Sequence, residues 1–156
     1  MKIAIGADSS GFELKEKIRE YLEEKEIEYK DFGTLDMAEP VEYYNIAPAV
    51  ARGIQKGEYD YGLLFCGTGM GMAQIANSFK GIRAAVCESL YSAILSRSIN
   101  DSNILTMGGF LVAANTGIKM TEAFLDTELT DGLPEIKEFL VGAQVQIKEF
   151  EELLYQ

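Results

Sequence analysis

The chain contains no histidine. That removes the side chain that most often moves protons near neutral pH, and the commonest metal ligand. Acid–base chemistry must then run on cysteine, carboxylate, lysine, tyrosine or water. Cysteine is also scarce. Cys66 and Cys87 stand apart with no CxxC pair, so a zinc site is not expected. Each follows a strand-like apolar run, which suits free thiols in a reducing compartment better than a stapled secreted domain. Positive charge is short, with 14 Lys and Arg against 25 Asp and Glu, for a net charge of −11. Nucleic acids are held by clusters of Lys and Arg, so none is expected as a partner, although a locally positive pocket could still hold a small anion. Long apolar runs are missing as well. Tyr61 to Cys66 falls far short of the roughly 20 residues that cross a bilayer, and Met1 to Gly6 is too short a stretch for a signal peptide. A cytoplasmic protein without a membrane partner is the expectation.

With 156 residues, 47% of them hydrophobic, the chain can bury one sizeable core and reads as a single domain over 1–156. Apolar runs alternate with amphipathic stretches throughout. Strands are expected at Lys2 to Ala7, Ile27 to Phe32, Tyr61 to Cys66, Ile82 to Cys87 and Asn103 to Met107. Helices are expected at Gly11 to Lys25, Tyr43 to Lys56, Gly69 to Ser78, Ser89 to Ser98 and Val112 to Thr127. Strands separated by helices imply parallel pairing. The fold class is therefore α/β: a doubly wound, five-stranded parallel sheet. An extra C-terminal helix, about 134–154, carries its own apolar stripe, which packs either on its own domain or on a second subunit. In open sheets of this kind ligands bind beyond the carboxyl ends of the strands, which directs attention to the loops after Ala7, Cys66, Cys87 and Met107.

One of these loops reads as chemistry. Cys66-Gly67-Thr68-Gly69-Met70-Gly71 leaves a strand and opens a helix, so its glycines let backbone N–H groups approach a ligand while the helix start favours negative charge. It fits neither the dinucleotide fingerprint nor the Walker pattern, and nucleotide binding is the weaker alternative. Helix N-termini stabilise thiolates, and proton abstraction beside a carbonyl needs a base together with donors for the developing oxyanion. Cys66 is the candidate base. Cys87 reads as a structural thiol, and Met70 and Met72 as helix-face packing.

Several motifs resemble the family of ribose-5-phosphate isomerase B and the galactose-6-phosphate isomerase subunits over about positions 1 to 128. They are Ile5-Gly6-Ala7-Asp8 with Gly11 and Lys15, the Cys66 to Gly71 loop, Asn77 with Lys80 to Ala85, Tyr91-Ser92-Ala93, Ser96-Arg97, and Asn100-Asp101 with Asn103. The resemblance implies a Rossmann-like α/β/α sandwich, no cofactor, and a small sugar or sugar phosphate as substrate. It also implies a homodimer or tetramer with sites at the subunit interface, or a hetero-oligomer with a paralogous chain. It assigns proton transfer between C1 and C2 to Cys66, supported by Thr68, and the enediolate to the amides of Gly67, Gly69, Met70 and Gly71. Asp8, Ser9 and Tyr43 would line the substrate, Asn100 would reach in from the neighbouring subunit, and Lys137 would keep a positive charge for the anionic end.

Departures from that pattern bear on the substrate. Ser9 and Ile99 replace histidines of the family, Phe110 stands where an arginine is common after the last strand, and Leu133-Pro134 interrupts a basic tail motif. An apolar Ile99 cannot open a sugar ring. The expectation is an aldose–ketose isomerase that handles ribose 5-phosphate poorly by itself and prefers a short open-chain sugar or its phosphate. Service as one subunit of a hetero-oligomeric isomerase, or as a non-catalytic ligand-binding protein of the same fold, is the alternative.

Overall fold

The computed structural model describes residues 1–155. The elements are β1 (Lys2–Ala7), α1 (Phe12–Glu24), β2 (Glu28–Asp31), α2 (Tyr43–Gln55), β3 (Tyr61–Cys66) and α3 (Met70–Ala76). They continue with β4 (Ala84–Val86), α4 (Leu90–Ser98), β5 (Ile104–Gly108), α5 (Ala114–Asp126), a 3-10 turn (Pro134–Ile136) and α6 (Lys137–Leu154). All strand pairs are parallel, in the order β2-β1-β3-β5-β4.

Burial explains the sequence pattern. Ile3, Ala4, Ile5, Leu63, Leu64, Phe65, Ile104 and Leu105 are wholly buried, because central parallel strands are covered on both faces and read as continuous apolar runs. Helices α1 and α5 close one face through Leu14, Ile18, Leu22, Met120 and Phe124. Helices α2 and α3 close the other through Ile46, Val50, Met72 and Ala76. Cutting the central Phe65 to alanine would cost about 3–5 kcal/mol in lost transfer energy and cavity. The edge strand β2 instead exposes Glu28 and Lys30, charges that discourage edge pairing.

After β2 the chain passes over β1 to lay down β3, so helices leave β1 and β3 toward opposite faces and their carboxyl ends part. That is the crevice in which open α/β sheets bind ligands, and Asp8 and Cys66 stand on its two sides.

Several boundaries shift by a residue or two from the sequence reading, and those of β4 and α3 have local reasons. β4 is three residues long, because Ile82 and Arg83 are drawn into a turn: the Ile82 N–H donates to Phe79 O at 3.1 Å. Asn103 braces the same turn by accepting the Arg83 N–H at 2.8 Å and donating to Gly81 O at 2.7 Å. α3 begins only at Met70, because Gly69 has φ +77°, a left-handed conformation that glycine adopts at little cost.

The tail is helical as expected, after one 3-10 turn. α6 is tied to the rest of the chain by polar contacts. Gln144 Nε2 donates to Ile99 O at 3.4 Å, the Gly81 N–H donates to Glu151 Oε1 at 3.2 Å, and Lys80 pairs with Glu152 at 2.7 Å. Of its apolar residues Leu140 is buried, while Phe139, Val145, Phe150, Leu153 and Leu154 are exposed. Among the described residues no helix is long and apolar enough to cross a membrane.

Candidate active site

Cys66 ends β3 and is 5% exposed. The left-handed turn at Gly69 folds the loop back on it, so the Gly69 N–H donates to Cys66 Sγ at 3.1 Å. That bond fixes the sulfur at the mouth of the glycine loop. Thr68 Oγ1 accepts the Met70 N–H at 3.3 Å, so the bond to sulfur comes from Gly69, and the Thr68 hydroxyl closes a turn ahead of α3 with its own proton left to donate. Cys87 differs. It is buried in the α1/α5 core, and burial pushes its thiol above the usual range, with the Ser92 and Ser96 hydroxyls pulling the other way.

Asp8 follows β1, one step beyond the Ala7–Phe65 pair and therefore beside Cys66. Its Oδ1 accepts the N–H groups of Ser10 at 2.9 Å and Gly11 at 3.0 Å, which fixes the turn into α1. The second carboxylate oxygen is left for other donors. Tyr43 opens α2, and its ring lies against the glycine loop so closely that a Cβ on Gly71 would sit 2.8 Å from Tyr43 Cε2. Ser9 is exposed on the β1–α1 turn.

The loop after Met107, singled out in the sequence by its place at a strand's carboxyl end, forms a further wall of the site. Gly109 N–H donates to Cys66 O at 2.8 Å and Phe110 N–H to Gly67 O at 3.0 Å, so the turn after β5 is stitched to the thiol-bearing loop. The Phe110 ring lies over Gly67, where an added Cβ would come within 2.6 Å of Phe110 Cε2, and the side chain is otherwise 72% exposed. Between Phe110, Ser9, Ser10, Glu13 and Met37 lies a recess of about 410 Å³ whose lining holds one carboxylate and no cation. A larger hollow of about 500 Å³ runs between α1 and the start of α5 and contains none of the candidate residues.

The candidates thus fall into two groups. Cys66, Gly67, Thr68, Gly69, Met70, Gly71, Asp8, Ser9 and Tyr43 gather at the carboxyl edge of the sheet. Asn100 is exposed in the turn that enters β5, hence at the opposite edge. Lys137, exposed, opens α6, whose Gln144 is tied to Ile99. Neither belongs to the Cys66 cluster within one subunit. Among the described residues no group of three or more Cys, Asp or Glu side chains comes together that could hold a metal ion.

Comparison with known proteins locates this arrangement. The ribose/galactose isomerase family matches residues 3–138. The 4-deoxy-4-sulfo-D-erythrose isomerase of Clostridium sp. (strain MSTE9) is 49% identical, over 100% of this chain and 99% of that protein. Ribose-5-P isomerase B of Listeria innocua is 42% identical over 88% of this chain and 92% of its own length. Ribose-5-phosphate isomerase B of Clostridium thermocellum superposes with a TM-score of 0.88 at 36% identity, covering 99% of both chains.

Proposed function

The chain belongs to the ribose/galactose isomerase family, an aldose–ketose isomerase, and from that membership we propose that it interconverts 4-deoxy-4-sulfo-D-erythrose and the corresponding 2-ketose by cysteine-based proton transfer. The observation that carries the substrate is the full-length match to the sulfo-erythrose isomerase. The absence of histidine agrees with it. A four-carbon aldose closes its ring through O4, and in this sugar carbon 4 bears sulfur instead. The substrate is permanently open-chain and needs no ring-opening acid, so an apolar Ile99 is no handicap.

Cys66 thiolate removes the C2 proton and electrons move to the carbonyl oxygen O1, the O2 hydroxyl proton passes to O1 within the 1,2-enediolate, and the Cys66 thiol reprotonates C1, which leaves the carbonyl at C2. One proton passes from C2 to C1 and the thiolate is regenerated. Proton transfer of this kind contributes about 10²–10⁴ in rate. The N–H groups of the glycine loop meet the enediolate oxygen, and the free oxygen of Asp8 accepts a substrate hydroxyl. Tyr43 closes the side of the pocket over Gly71.

The far end of the sugar enters the recess beside Phe110. A sulfonate carries a single, permanent charge, and hydroxyls such as those of Ser9 and Ser10 with one cation can balance it. A phosphate carries nearly two charges and asks for more. We assign that one cation to Lys137 of a second copy, arriving with its Asn100, because both stand away from the Cys66 cluster of their own subunit. The uncovered apolar residues of α6 support the same pairing of subunits.

The test is turnover in D₂O followed by NMR, with deuterium entering at the carbon that is reprotonated. The sulfo-tetrose is expected to exceed erythrose 4-phosphate, and both to exceed ribose 5-phosphate, in kcat/KM. Faster turnover of ribose 5-phosphate would refute the assignment.

A further inference from the structure

The side chain of Lys15 is wholly buried. A buried ammonium persists only where its protons find partners, and here Nζ donates to Asp31 Oδ2 and to Thr34 O, each at 2.6 Å, and lies 3.1 Å from Glu16 Oε1. The identity of the partners matters more than their number. Asp31 ends β2, and its other oxygen accepts the Gly33 N–H at 2.8 Å. The Thr34 N–H donates to Ala7 O at 2.8 Å, beside Asp8, and Thr34 Oγ1 accepts the Val41 N–H at 2.9 Å. Val41 stands two residues before Tyr43. The ammonium therefore joins the helix that grows from the Asp8 turn to the start of the loop that delivers Tyr43 to Gly71, and the Thr34 side chain links that start to the loop's far end at Val41.

Phe32 and Val41 pack against the core near the two ends of that loop, but Leu35 and Met37 between them are exposed, so the Lys15–Thr34–Val41 chain is what ties the two ends to each other. We infer that Lys15 is a positioning residue for the isomerisation, setting the Tyr43 ring against the glycine loop through Thr34. The inference rests on the reading above that Tyr43 lines the substrate pocket.

The perturbation is Lys15→Met together with Asp31→Asn, which removes both charges and keeps an acceptor for Gly33. Thr34→Val is the milder second variant, cutting the tie to Val41 while leaving the carbonyl that Lys15 bonds. Both are expected to raise KM for the best wild-type substrate at least tenfold, with kcat within threefold. A fold-wide loss would lower the melting point without that split. Tyr43→Ala should cost a similar factor alone and less than threefold when added to either variant, because residues acting through one chain are not additive. Penalties that multiply, or an unchanged KM in folded variants, would overturn the inference. Amide exchange separates this from failure of the functional reading. Whatever sugar is turned over, exchange over 34–43 should speed up at least tenfold in both variants while α5 is unchanged, and equal protection of the loop in variant and wild type would refute the positioning role by itself.

Discussion

Phe110→Arg asks whether the cation-free recess sets the preferred end group. The ring is 72% exposed, so about a quarter of a side chain of roughly 200 Å² is in contact, near 50 Å², worth about 1 kcal/mol at the usual area coefficient. The stem of arginine recovers part of that, and the variant should melt within a few degrees of wild type. A charged hydrogen bond to a phosphate contributes about 1.5–3 kcal/mol, but the position is open to solvent and Glu13 lines the same recess. Screening and competition reduce the gain to about 1–2 kcal/mol, a rise of roughly 5- to 30-fold in kcat/KM for erythrose 4-phosphate. The singly charged sulfonate gains about half as much energy, so the phosphate-to-sulfonate ratio should move by about 2- to 5-fold. Both substrates are measured on the same preparations at low and physiological salt, and the gain should shrink as salt rises. If phosphate turnover stays flat or falls in a folded variant, the end group does not lie beside residue 110.

Three further outcomes are expected. Cys66→Ser and Cys66→Ala should lose about 10²–10⁴ in kcat with an unchanged circular dichroism spectrum, and mass spectrometry after iodoacetamide should find Cys66 modified before Cys87, in step with activity loss; full activity of the alanine variant would exclude the thiol as base. Burial raises the Cys87 thiol above its ordinary value of 9.0, so its contribution to stability is complete below 9.0 and is lost as pH rises from there through the higher value of the folded protein, because the unfolded chain releases its proton first. The melting point of wild type should accordingly fall more steeply than that of Cys87→Ala above pH 9.0, and parallel curves would show that this thiol is not the cause. Ending the chain at Ile136 should convert an assembled protein to monomers in sedimentation and abolish turnover; an active monomer would contradict the assignment of Asn100 and Lys137 to a partner.

Most of the fold was legible because its signals are local and repeated. The buried runs at Ile3 to Ala7 and Leu63 to Cys66 gave the central strands directly, and helical spacing gave α1, α2, α5 and α6. The glycine loop was readable because left-handed turns need glycine, and Gly69 supplies one. Side chains whose chemistry runs against their placement were not readable. Lys15 sits inside the protein because Asp31 and Thr34, distant in sequence, meet its ammonium. Arg97 is likewise buried between Tyr61 and Phe124 and bonded to Asp101, Ser102 O and Thr127 O. Phe110 was noted for the charge it lacks, and its position over Gly67 depended on the register of β5 against β3. The separation of Asn100 and Lys137 from Cys66 follows from topology, which one-dimensional spacing does not encode.

The two backbone bonds that join Gly109 and Phe110 to Cys66 and Gly67 bear on how an enzyme of this shape changes over generations. They are made by main-chain atoms, so the nature of the side chain at position 110 does not enter into them. A point substitution there can alter what the far end of the pocket accepts while the sulfur keeps its place. New substrates can be tried one codon at a time, and the proton-transfer chemistry is carried through each trial intact.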